Sequence, residues 1–292
     1  MVREGVGHAG KSIESPFRQN RDIVFGNAFL YPIYLSERQV YFIMETIAYQ
    51  LTTCSGLIVS PRSALAFYRD LDEFSLEKVE DSEYLAKSRL KVIYPFYQYG
   101  IYTAYNPEGA AYYLPGSSVK GALCRGTSVE GGLMSDDILI PGSYIVLRNI
   151  YKVQYLEENT QACFAPFFDN VGVEMVRADS PLQGQLILPD RDSANALITA
   201  ANKSAKIKIG QMLEYLSELA KREYKEEMTK KLHTIIENLS PYLENDHIIL
   251  LGGYKGLLHS MEIKDPSAVT NSGVFIDPEK DLPYGLAEIE FI

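Results

Sequence analysis

LPGSSVKGAL, residues 114–123, reads as a tight turn running straight into a helix. Pro115 and Gly116 form the turn, Ser117 and Ser118 are placed to cap, and Val119-Lys120-Gly121-Ala122-Leu123 opens the helix with a cation in its first turn. The opening of a helix carries unpaired N–H groups and a partial positive charge, which favours phosphate there. Two hydroxyls and an ammonium add hydrogen bonds and charge. Gly116 and Gly121 remove side chains that would hold a bulky polyanion away from the backbone. These properties describe a clamp for a nucleic-acid backbone; the same letters also describe an ordinary helix start. A nucleotide P-loop fits less well, because that motif needs G-x-x-x-x-G-K-[ST] and Gly121 is followed by Ala122 and Leu123.

Working outward, VYFIMETIAYQLTT (40–53) is rich in aromatic and β-branched residues and predicts a long first strand, continued by LIVS at 57–60. A variable stretch follows at 62–110, with a polar, charged segment at 69–91. Further strands are predicted at 111–114, 143–155, 167–178 and 182–188. Apolar residues at helical spacing, among them Met212, Leu213, Leu216 and Leu219, predict one long helix from about Ser193 to Leu239, with a bend at Gly210 and an end at Pro241. LLHSMEI (257–263) predicts the last core strand, and LAEIEFI (286–292) one more. The order is strand, helix, strand, strand, helix, strand. That is a βαββαβ, ferredoxin-like or RNA-recognition-motif-like α+β core with insertions. Residues 1–35 read as an N-terminal extension of low regularity, and residues 36–292 as one domain with its insertion around 62–110.

A second glycine motif, Gly252-Gly253-Tyr254-Lys255-Gly256, lies between the long helix and the predicted last strand. Three glycines in five residues permit positive φ and close approach of another chain. Alone, this is also a common helix-to-strand turn.

Together the two motifs resemble the RAMP superfamily (repeat-associated mysterious proteins), the RNA-binding subunits of CRISPR effector complexes. Members carry variants of I-P-G-S-S-[hydrophobic]-K-G-[AV]-[LIF]-R after the first strand and a glycine-rich loop before the last. Leu114–Leu123 match the first motif, but Cys124 stands at its arginine position and Arg125 follows one place later, rotated by about a quarter turn on a helix. The region Met134–Ile140 with the following strand is similar to the fifth subunit of the type III-A Csm complex, which caps the crRNA 3′ end. The resemblance implies crRNA as ligand and Csm-type subunits as partners. Its RNA contacts would be Gly116, Ser117, Ser118, Lys120, Gly121 and Arg125 on one side. Gly252, Gly253, Lys255 and Gly256 would form the opposite lip. Cmr-type terminal or backbone subunits share the pattern.

Composition bounds these readings. The 292 residues are 46% hydrophobic and 23% charged, ordinary for a globular protein, and the net charge is −10. Such a balance argues against a surface coated in basic residues and leaves room for RNA in a local groove. Cys54, Cys124 and Cys163 are odd in number and widely spaced, which suits a reducing compartment and suggests neither disulfides nor zinc. The sequence shows no signal pattern and no bilayer-length apolar run, so a cytoplasmic protein without membrane contact is expected.

Catalytic signals are sparse. His8, His233, His247 and His259 have no metal-ligand spacing, and no G-x-S-x-G or G-x-G-x-x-G occurs. No metal or cofactor is expected. Asp70 in RDLDEF and His259 beside the second glycine motif are the candidates should the chain be a RAMP-type endoribonuclease, processing crRNA or cutting target RNA. A non-catalytic binding subunit is the leading expectation.

Overall fold

The computed structural model describes residues 28–35, 38–59, 66–68, 71–72, 90–101, 105–125, 127–155, 162–223, 225–252, 256–261, 263 and 273–292, with 28–35, 38–42 and 155 described by backbone alone. The fold is mixed α+β. Its centre is the predicted long strand, Arg38–Thr53, which pairs antiparallel with Ala28–Leu35, Pro181–Leu188 and Leu286–Phe291. Met134–Ser135 joins the outer side of Pro181–Leu188, and Ile248–Leu250 the outer side of Leu286–Phe291. The expected boundary at residues 35/36 falls between two strands that pair with each other, Ala28–Leu35 and Arg38–Thr53.

Alternation along these strands sorts the faces. Ile47, Tyr49, Leu51, Leu182, Leu186 and Leu188 are buried under two helices. The helices are α1 (Gly116–Leu123) and α2 (Arg191–Arg222), which contribute Val119, Ala122 and Leu123, and Ala194, Leu197 and Ala201. The Tyr49 ring packs against Gly184, where a Cβ would come within 2.4 Å of it. The opposite face carries Gln50, Thr52, Gln183, Gln185, Glu288 and Glu290, none of them fully buried.

Three smaller sheets build outward. One joins 162–166, 151–155, 273–277 and 282–283. Another joins 67–68, 92–94, 171–176 and 145–148, and the third joins 98–99, 111–114 and 138–140. The predicted strand 143–155 is therefore two strands in different sheets. Between them Asn149 turns away from both ladders and donates to the carbonyls of Phe168, Asp169 and Val171, which closes that corner. Likewise the predicted strand 167–178 shortens to 171–176. In the aromatic run 94–99 Phe96 is buried while Tyr99 stacks on Tyr113 at the surface, 4.3 Å between centroids.

The predicted helix 193–239 is two helices. α2 begins one cap earlier, where the Asp190 carboxylate accepts from the Ser193 amide, and it passes through Gly210 unbroken. It stops at Glu223, a buried carboxylate that accepts from the Ala162 and Lys225 amides and so fixes the break before α3 (Glu226–Leu239). Pro241 follows in a single 3-10 turn. LLHSMEI is not a strand. Leu257–Ser260 forms a one-turn helix, α4, and the strand after the long helices is Ile248–Leu250. A short apolar run satisfies either period, and here Gly256 and the Ser260 and Met261 amides close a helical turn.

Candidate nucleic-acid interface

α1 presents the sequence motif in two halves. Val119, Ala122 and Leu123 face the core, while Ser117, Lys120 and Gly121 are exposed on the outer face. A Cβ at Gly121 would meet nothing within 4 Å, so the backbone there is open to a large ligand. The helix start differs from the sequence expectation. Ser117 and Ser118 lie inside the first turn, and no side chain of the preceding residue caps it. The Gly116 amide instead donates to the Asp137 carboxylate at 2.8 Å. Gly116 is buried, and a Cβ there would sit 1.9 Å from the Ser135 carbonyl oxygen, so its glycine serves packing against the neighbouring strand. A carboxylate already occupies the approach to the first amide, and phosphate would be repelled from it.

The other end of α1 opens into a cleft of about 860 Å³. Arg125 and Thr127 form one wall just past the helix. Lys203, Ser204, Ile207 and Lys208 of α2 form the floor, at the one-turn spacing that puts them on a single helix face. Gly252, His259 and Ser260 form the far wall. The described lining includes two lysines, an arginine and a histidine, and no carboxylate. Among the described residues neither Arg125 nor Lys203 is ion-paired, whereas nearby Lys206 is held by Asp246 at 2.8 Å. In a chain of net charge −10 this is a concentrated patch of positive potential.

The walls are set rigidly. Gly252 adopts φ +60° and packs against the backbone of Ile58, whose carbonyl oxygen a Cβ would approach to 2.4 Å; only glycine fits there. That segment is itself pinned. The Asp277 carboxylate, raised in pKa by burial, accepts from the Gly56 amide, and the Ser55 hydroxyl donates to the Pro283 carbonyl and accepts from the Leu286 amide.

His259 is the unusual member. It is 6% exposed, and neither ring nitrogen has a hydrogen-bond partner among the described residues. Burial, with Lys208 and Arg125 nearby, pushes its pKa down to about 4, so the imidazole is neutral near pH 7. Arg125 is likewise biased against charge by burial, although a guanidinium stays protonated under any ordinary condition.

Of the expected contacts, the structure thus brings Arg125, Gly252 and His259 into one cleft, places Ser117, Lys120 and Gly121 on an open face, and buries Gly116. Ser118 is half-buried in the first turn, and Gly256 precedes α4. Gly253, Lys255 and Asp70 lie outside the described residues. Sequence reasoning missed Lys203 and Lys208. Their signal was present in NKSAKIK (202–208), the densest lysine run of α2, on the face shared with Ala200 and Ser204. His247 is exposed on the way into Ile248–Leu250, and His233 is exposed on α3. Burial pushes the Cys54 thiol up to about 12, an unreactive state. No group of three or more potential metal ligands and no helix long and apolar enough to cross a membrane occurs among the described residues.

No family model matches this chain, and no curated protein matches it. Among solved structures, a chain of the cryo-EM structure of a Csm–crRNA–target RNA ternary complex from a type III-A CRISPR-Cas system is similar, with a TM-score of 0.32 and 12% identity. The alignment covers 54% of this chain and 48% of that one, so this chain spans about half the length of its neighbour. Likeness at that level carries no argument about role.

Proposed function

We propose that this chain is an RNA-binding RAMP subunit of a type III CRISPR effector, most like the crRNA 3′-end capping (fifth) subunit of a Csm complex. In that reading the six-stranded sheet with α1 and α2 is the ferredoxin-like core, with Leu286–Phe291 in the place that the strand after the second helix would take. The carrying observation is the cleft: Arg125 and Lys203 converge beside Gly252 in an otherwise acidic chain, next to the exposed Ser117, Lys120 and Gly121. Among the described side chains, the opposite face of the central sheet carries amides, a hydroxyl and carboxylates and no cation, a poorer surface for a polyanion. A phosphate chain crossing the outer face of α1 would enter the cleft past Arg125, with Gly253, Lys255 and Gly256 as its outer lip. Ser118 would support the turn. Csm-type subunits would be its partners and the cytoplasm its compartment.

The test is direct. Fluorescence anisotropy with a short single-stranded RNA should show binding that weakens steeply with salt. Lys203→Ala and Lys120→Ala should each lower the salt slope by about 0.7, one phosphate contact on a single strand. Unchanged affinity and slope in both variants would refute the reading.

A second reading, RNA cleavage by His259, has one observation in its favour: the imidazole lies in the cleft. Its lowered basicity works against it, since a general base serves best with a pKa near the working pH. Incubation with repeat RNA and with guide-complementary RNA separates the two, because a binding subunit leaves both intact.

A further inference from the structure

His259 is a buried side chain with two hydrogen-bonding atoms, no partner for either among the described residues, and a position in the wall of an open cationic cleft. Orphaned buried polar atoms cost stability, so such a group points to a ligand that completes it. The chemistry of that ligand follows from the neighbours. Arg125 and Lys203 offer donors only, which suits phosphate oxygens. A neutral imidazole differs: one nitrogen donates and the other accepts. Burial and the two adjacent cations keep it in that neutral form near pH 7. Its accepting nitrogen needs a donor from the ligand, and a phosphodiester has none. In a nucleic-acid backbone the donor next to the phosphate is the ribose 2′-hydroxyl, which also accepts. DNA lacks it.

We infer that His259 is the residue by which the cleft selects RNA over DNA, its neutral imidazole accepting a hydrogen bond from one ribose 2′-hydroxyl while the cations hold the adjoining phosphates. This rests on the RNA-binding reading above and adds to it the sugar and the residue that reads it. The role is one of specificity and involves no bond making. The ring is held for it: it lies 6.4 Å, centroid to centroid, from Phe275, in a helical turn whose Ser260 amide donates to the Gly256 carbonyl at 3.1 Å.

The experiment uses three labelled strands of one sequence: ribose, 2′-deoxyribose and 2′-fluororibose. The fluoro sugar keeps the ribose pucker and cannot donate. With the wild-type chain at pH 7, both modified strands should bind about tenfold more weakly than RNA, the scale of one hydrogen bond whose loss strands a buried acceptor. His259→Phe should bind all three alike with an unaltered salt slope, and His259→Asn, which keeps a donor and an acceptor, should restore part of the difference. Equal binding of ribose and fluororibose strands by the wild-type chain overturns the inference without any variant, so a folding defect in His259→Phe cannot shield it. A ribose preference that persists in a folded His259→Phe also overturns it. If no strand binds at all, the RNA-binding reading falls first and this inference with it.

Discussion

Two glycines in the site make opposite predictions about side-chain space. At Gly252 the positive φ and the nearby Ile58 carbonyl leave no room for a methyl group, so Gly252→Ala should destabilise the fold by about 2 kcal/mol, measured by urea unfolding. At Gly121, helical and unobstructed, Gly121→Ala should stabilise by roughly 0.5–1 kcal/mol while weakening RNA binding, because the methyl stands where the strand would approach. Stability and affinity moving in opposite directions in one variant is a result that mere helix chemistry would not produce. His259 gives a pH signature of its own. The unfolded imidazole takes up a proton near pH 6.5, whereas the folded one resists until about pH 4. Acidification across that window therefore favours unfolding, by about 3 kcal/mol at its lower end. His259→Phe should show a correspondingly flatter stability profile between pH 6.5 and 4, read from denaturation midpoints.

Elements were legible in the sequence wherever period and length agreed. The long strand ending at Thr53 and the strand 181–188 followed from β-branched and alternating residues, and the helical stretch after Ser193 from its apolar spacing. What the letters could not show is what a distant residue does to an element's end. Glu223 ends α2 because the Ala162 amide lies across from it, and Asp137 caps α1 from 21 residues away. The Ser-Ser pair looked like the cap because local chemistry permits it; the tertiary carboxylate took the role. Asp137→Ala should accordingly cost about 1 kcal/mol, the usual worth of a helix cap, measured by thermal or urea unfolding. The same logic explains the cleft. Arg125 and Gly252 belong to the two glycine motifs and were visible, whereas Lys203 and Lys208 gained meaning only once α2 was seen to form the floor.

The whole molecule combines a net charge of −10 with a cleft whose described lining holds cations and no carboxylate, and on the proposed reading this makes the binding surface self-limiting. Polyanions would then be repelled from most of the surface and drawn to the cleft, so association should be slow at low salt compared with a basic protein, yet oriented. The six-stranded sheet has a further consequence. Its strand 286–291 lies between the long strand 38–53 and strand 248–250, although it is the last of the six to be synthesised. A ribosome still holding those residues in its exit tunnel would therefore leave two ladders unzipped. The sheet knits shut only once that strand has cleared the tunnel, and until then the nascent chain offers sticky edges that a chaperone has reason to shield.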